Sequence, residues 1–264
     1  MSPATERNPA PGMSYLKKYY SLLLLLVAWQ TVSHFELVPA FFLPSVTTLA
    51  FQSYEEIVSG RLPADIILTI YRSLLGFLLA IIVGVPLGVT MARVKPVRWL
   101  FDPIISIGFP APKISFIPIF VLWFGFFSLP KIMLTSFACV FPVVNMTYLG
   151  TIGIDKYLVW SARNMGTDER KMLWKVVVPA ALPQVFNGVQ VAFPVSLIIV
   201  TVSEMLGGGG GIGASMMMAA RFADMPVVFV NLLAVSFMGF VSMKLLARGR
   251  KLLLHWHEET QVTY

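Results

Sequence analysis

The sequence predicts an all-α polytopic membrane protein with six transmembrane helices. Three observations carry that reading. Hydrophobic residues make up 57% of the 264 and charged residues only 12%, about half the charge of a soluble domain. The apolar residues fall in long blocks rather than alternating, which excludes an outer-membrane barrel. The basic residues, in excess by a net charge of +7, cluster between alternate blocks, as topology determinants do. A mean hydropathy of +0.77 also excludes disorder, coiled coil and a disulfide scaffold.

Residues 1–14 are polar and Pro-rich and read as a flexible cytoplasmic tail. Lys17 and Lys18 precede a first apolar run from Leu22 to Trp29 that fades towards Val38. It resembles a signal-peptide core, but no small-x-small cleavage site follows, so a retained span is expected. Residues 39–65 hold three prolines with Glu55, Glu56, Arg61 and Asp65 and read as a solvated loop with a short helix. The second span, 66–92, is broken only by Arg72. A short apolar piece at 99–109 and the Pro110, Pro112, Lys113 break precede a third span at 114–127, too short alone unless it recruits what comes before. Further spans follow at 132–150, 185–206 and 227–246, and 251–264 form a basic cytoplasmic tail.

Arg93, Lys95 and Arg98, five bases between 155 and 175, and Lys244 through Lys251 lie on one side of this array, with Lys17 and Lys18. Both termini are therefore expected on the cytoplasmic side of the membrane.

The polar block 155–175 is unusually long for a bundle loop. Leu158, Ala162 and Met165 recur at i, i+4 and i+7 as one helical stripe, with Asp155 as N-cap and Gly166 ending the helix. Thr167 is placed to cap a second helix whose first turn holds Asp168 and Glu169. Two readings fit two short helices with a mixed apolar and charged surface: a docking element for a partner, or an interfacial helix on headgroups.

Residues 160–166, WSARNMG, and 176–179, VVVP, resemble the coupling-loop signature of binding-protein-dependent ABC importer permeases: Glu-Ala-Ala, three residues, Gly, nine residues, Ile-x-Leu-Pro. Ala162, Gly166 and Pro179 match at the required spacing, while Trp160 and Ser161 stand where the family has Glu and Ala. The stretches LPSVTTLA at 43–50, RSLLGFLLAIIVGVPLG at 72–88, PIFVLWFGF at 118–126, VVVPAALPQVFNGVQVA at 176–192 and SEMLGGGGGIG at 203–213 are similar to the nitrate, sulfonate, taurine and bicarbonate branch. The resemblance spans residues 15–255 and implies a type I ABC importer permease domain over 15–250. It further implies a second permease copy, a cytoplasmic ABC ATPase dimer that binds ATP and Mg, and an extracytoplasmic solute-binding protein delivering a small anionic solute. Leu158, Trp160, Ser161, Ala162, Arg163, Met165, Gly166, Thr167 and Pro179 would then form the ATPase-coupling loop.

Other features are weighed beside this. Gly76, Ala80, Gly84 and Gly88 form a small-xxx-small stripe, read either as ordinary close packing or as the pivot face of a moving bundle. Arg72 and Glu204 are ionisable groups inside spans; they snorkel, pair with one another, or line the solute path. The run Gly207–Gly211 lacks the Lys-Ser/Thr ending of a phosphate loop and reads as a flexible external loop. His34, His255 and His257 have no ligand spacing, Cys139 reads as a buried thiol, and no catalytic constellation is apparent, so a non-catalytic subunit with no cofactor or metal of its own is expected. A secondary transporter or channel without an ATPase is the competing class.

Overall fold

A computed structural model describes residues 11–255, and all regular structure among them is helical. The expected tails at 1–14 and 251–264 and His257 lie wholly or partly outside the described residues.

Helix α1 covers Pro11–His34 and is tied to the chain that follows it. Trp29 Nε1 donates to Pro44 O at 3.0 Å, and Gln30 Oε1 accepts from Val46 N at 2.9 Å. The expected loop at 39–65 is largely helical. Ser45 caps α2, Val46–Val58, by accepting from Thr48 N, and α3 begins at Arg61, running to Arg93. Pro63 fits in its first turn, where a missing N–H costs nothing.

Lys95–Gly108 form α4, and Ile117–Phe124 form α5 after a 3₁₀ turn at Lys113–Phe116. The two helices are bent by 100°. The expected third span is therefore not one rod: Pro110 and Pro112 break it from the helix it would recruit, and only eight residues of 114–127 are α-helical. Helix α6 covers Ser128–Ile152. Then come α7, Lys156–Asn164, and α8, Glu169–Met172, with a π-helical turn at Leu173–Val177 leading into α9, Val178–Gly207. Helices α10, Ile212–Arg221, and α11, Met225–Leu253, complete the described chain.

Four helices are long and apolar enough to cross a membrane by themselves, and a fifth span requires the bent α4–α5 pair. The apolar part of α1, Tyr20–His34, falls short of that length. The expected six spans thus correspond to four long helices, one broken one and one short one.

Helix α6 is the centre of the bundle. Along α3, Gly76, Gly84 and Gly88 face Thr135, Val143 and Thr147 in turn, so α3 and α6 run parallel in register. Against the other side of α6, Gly188 of α9 faces Met146 and Gly150 faces Gln184, so α9 runs antiparallel. The Cys139 thiol, fully buried, donates to Ala192 O across that second contact. Small residues let backbones approach where lipid offers no hydrophobic drive for association. Phe77 and Phe193 close the core edge-to-face, 5.2 Å between centroids. Leu22, Leu23, Leu24 and Leu25 are more than half exposed, as a lipid-facing surface requires.

Candidate functional site

The block 155–175 folds as a helix, a turn and the first turns of a much longer helix. Asp155 caps α7, its carboxylate accepting from Tyr157 N at 2.8 Å. Gly166 has φ +76, the left-handed value that glycine adopts without a Cβ penalty. Its N–H donates to Arg163 O at 2.9 Å and that of Thr167 to Ala162 O at 3.1 Å, the paired bonds of a Schellman cap. Thr167 belongs to this turn, so the expected cap of the second helix falls to Asp168, whose carbonyl accepts from Met172 N at 2.7 Å.

Two expectations change here. Of the stripe Leu158, Ala162 and Met165, only Ala162 is buried; Leu158 and Met165 are 47% and 79% exposed. Helix α7 leans through Val159 and Ala162 onto Met172 and Val177, and Met165 lies past its last turn. The second helix is not separate either: Glu169–Gly207 is continuous over 39 residues. Its π turn sits just before Pro179, whose ring would otherwise crowd the carbonyl four residues earlier. At 1.5 Å per residue this helix is about 58 Å long, roughly twice the hydrocarbon thickness. Its first turns therefore project as a lever beyond the apolar part.

Glu169 ties this lever to the bundle. Its carboxylate accepts from Arg163 at 2.6 Å and from Arg93, at the end of α3, at 2.9 Å. The Arg163 hydrogen bond and charge, joined by Arg93, hold the carboxyl below its usual value. The pattern reading used Arg93 only as a topology marker and Glu169 only as a dipole partner; nothing in their spacing foretells their meeting. The outward surface of α7 is aromatic, with Tyr157 and Trp160 edge-to-face at 5.6 Å and both more than half exposed. Ser161 and Arg163 share that exposed surface, while Pro179 is half-buried.

The opposite face carries a buried charge network. Arg72 and Glu204 form an ion pair at 2.7 Å, with side chains 2% and 0% exposed. Snorkelling is thereby overturned: both groups are sealed inside, where a partner costs less than a route to solvent. Arg72 also donates to Gly209 O and Gly210 O, each at 2.7 Å, and to Ser128 Oγ at 3.0 Å. Glu204 accepts from Thr69 Oγ1 and Gly213 N. Buried Lys131 donates to Gly208 O at 2.7 Å, and Asp65 accepts from Gly211 N and from Ser215 Oγ.

The glycine run is consequently not a flexible loop. Gly208, Gly209, Gly210 and Gly211 all have positive φ, and side chains from α3 and α6 hold the run residue by residue. Glycine serves here to let backbone carbonyls and amides turn inward. Sequence reasoning missed Asp65, Thr69, Ser128 and Lys131. A signal existed for the first two: Asp65, Thr69 and Arg72 lie at i, i+4 and i+7, a polar stripe down an otherwise apolar helix. Among the described residues no three His, Cys, Asp or Glu side chains converge as metal ligands.

Comparison with known proteins fits this geometry. A family model described as "Binding-protein-dependent transport system inner membrane component" matches residues 80–249. The putative aliphatic sulfonates transport permease protein SsuC of Bacillus subtilis (strain 168) is 29% identical over 88% of this chain and 84% of its own length. The taurine transport system permease protein TauC of Escherichia coli (strain K12) is 26% identical over 91% of this chain and 90% of its own. Among solved structures, a chain of the inward-facing MetNI methionine ABC transporter superposes with a TM-score of 0.58 at 18% identity. It covers 72% of this chain and 98% of that one, a likeness of fold.

Proposed function

The chain belongs to the binding-protein-dependent transport system inner membrane component family, and from that membership we propose that it is the membrane-spanning permease of an ATP-driven importer for a small anionic solute of the sulfonate or taurine type. Its fold is that of a type I ABC importer permease, and it is a multi-pass membrane protein. In this reading Arg93, Arg163 and the rest of the basic face are cytoplasmic, the glycine loop is extracytoplasmic, and two copies pair around the path.

The observation that carries the reading is the lever. A short helix with an exposed aromatic surface, α7, is joined by a Schellman turn to the helix Glu169–Gly207, which runs to the far side of the bundle. Movement of α7 by a docked ATPase dimer would be transmitted along that helix rather than absorbed in a loop. ATP and Mg are bound by the ATPase, and this chain contributes no cofactor and no catalytic group. An extracytoplasmic binding protein supplies the solute to the glycine-loop face. Sulfonate and taurine permeases among the relatives support the solute class.

The test is co-purification and energetics. A tagged chain is expected to bring down an ATPase, and uptake into vesicles is expected to stop when ATP is depleted with the ion gradient intact. Uptake that survives ATP loss would instead establish the secondary-transporter class.

A further inference from the structure

Helices α3, α9 and α11 enclose a groove of about 870 Å³, with Ser53 and Ile57 of α2 at its roof. Its walls are hydrocarbon: Phe77 of α3, Phe186 and Phe193 of α9, and Phe237 and Leu245 of α11. Two of its serines are bonded within the protein, Ser53 donating to Leu49 O and Ser73 lying 2.7 Å from Ser196 Oγ. The two ends differ. At one, Leu62 and Val230 are buried against Leu49, and Trp29 meets Phe229 edge-to-face at 5.8 Å, so α1 and α2 close it. At the other, Gly249 and the largely exposed Leu253 leave it open.

The open end is basic. Along α11, Phe237, Val241, Lys244, Arg248 and Lys251 follow at steps of three and four residues and so share a face. Three bases thus continue the stripe of the groove's own wall, and α11 contains no Asp or Glu. Lys244 Nζ lies 4.4 Å from the Phe240 ring centroid, and Arg248 and Lys251 are exposed beyond it. Arg248 stands about 35 Å along the helix from Met225, past a hydrocarbon layer of about 30 Å and at the depth of headgroups. Bases that mark topology need only lie outside the membrane; these three line up with one groove.

Gly249 keeps this end open. Gly76, Gly84, Gly88 and Gly188, also inside helices, each hold a neighbouring helix close, whereas a Cβ at Gly249 would meet no listed neighbour within 4 Å among the described residues. Glycine inside a helix is unfavourable without such a packing role. Its missing side chain instead leaves space between the apolar groove and the basic rim.

Resting on the orientation of the permease reading above, we propose that this groove binds an anionic phospholipid of the cytoplasmic leaflet. The acyl chains lie between the phenylalanines, up to the closure at Leu62 and Val230. The phosphate emerges past Gly249 and is held by Arg248 and Lys251, the arrangement by which basic sites between membrane helices take anionic headgroups. Charge selects lipid over the other apolar occupant, α1 of a second copy. That helix carries Lys17 and Lys18 in its N-terminal half, on the same side of the membrane, so bases would meet bases.

The test is lipid titration followed by native mass spectrometry. The tagged chain, purified in detergent with the partners it brings down and stripped of lipid, is titrated with phosphatidylglycerol or phosphatidylcholine. One phosphatidylglycerol per permease chain is expected to bind at least about tenfold more tightly than phosphatidylcholine, each base contributing about fivefold. Arg248→Gln combined with Lys251→Gln is expected to remove that preference and leave phosphatidylcholine within about twofold. Gly249→Leu is expected to block both lipids with the melting temperature unchanged or higher, since its Cβ has open space. Equal affinity for the two lipids, or either variant without effect, overturns the proposal. So does loss of the assembled complex in Gly249→Leu, which would make the groove a contact between chains. A chain that shows this lipid site but brings down no ATPase fails the permease reading alone, and ATP-driven uptake by a chain without the site removes only this proposal.

Discussion

Arg72 and Glu204, 132 residues apart in sequence, meet at 2.7 Å with their side chains almost wholly excluded from solvent. The pair is the centre of a clamp, because Arg72 also holds two glycine carbonyls and Ser128. Its roles are therefore unequal. Arg72→Met strands a buried carboxylate and two carbonyls and is expected to cost about 3–5 kcal/mol. Glu204→Gln keeps an acceptor for Thr69 and Gly213, and is expected to cost about 1–3 kcal/mol. Thermal unfolding of the detergent-solubilised protein would rank them. A charge swap, Arg72→Glu with Glu204→Arg, is expected not to rescue, since the relocated guanidinium cannot reach the same carbonyls. Full rescue would reduce the network to a simple ion pair.

The α3 stripe separates two kinds of close packing. A Cβ at Gly84 would come 2.9 Å from a Val143 side-chain carbon, while at Gly88 it would meet the Val144 carbonyl at 2.8 Å as well as Thr147. Gly84→Ala is expected to destabilise by about 1–3 kcal/mol and to recover much of that when paired with Val143→Ala. Gly88→Ala is expected not to recover with Thr147→Ala, because backbone cannot be trimmed. Melting temperatures of the four variants check the contrast.

The stripe and the Schellman turn at Gly166 were legible in sequence because each depends on local spacing. Four-residue repeats of small residues and a glycine after a capped stripe have few other physical uses. The glycine loop was misread for the opposite reason: five consecutive glycines describe freedom in isolation, and their fixation depends on Asp65, Arg72 and Lys131 arriving from distant helices. The stripe on α7 failed more simply. Periodicity places Leu158 and Ala162 on one face, but which flank packs is set by Met172 and Val177 beyond the turn.

The Glu169 clasp is largely exposed to solvent, its Glu169 and Arg163 side chains 61% and 54% exposed, so its importance is geometric. Glu169→Gln is expected to leave folding unchanged but loosen α7 from Arg93, lowering uptake per ATP hydrolysed, as measured in proteoliposomes containing the complete transporter. The pH sign follows from a carboxyl depressed in the folded state. The clasp is present above the ordinary value of 4.5 and is lost only as pH falls through the lower folded value. Coupling should therefore be flat from neutral to mildly acidic pH and fall with added salt, which screens exposed ion pairs. A midpoint near neutrality would implicate a different group.

Gly166 separates backbone strain from contact with a partner. Its φ of +76 disfavours any Cβ, yet an added Cβ would meet, among the described residues, no atom beyond its chain neighbours within 4 Å. Gly166→Ala is thus expected to cost about 1–2 kcal/mol from the left-handed conformation alone, and Gly166→Asn less, since asparagine tolerates that region. Gly166→Asp also tolerates the backbone but adds a charge on the surface that would face the ATPase. All three variants are expected to insert in the membrane normally. If the turn acts only through its shape, uptake per ATP should follow strain, with alanine the worst. If it also lies against the ATPase, aspartate should uncouple hydrolysis from uptake more than alanine does, although its strain is smaller. Hydrolysis and uptake measured together on the three variants distinguish these outcomes, and we expect the aspartate variant to be the most uncoupled.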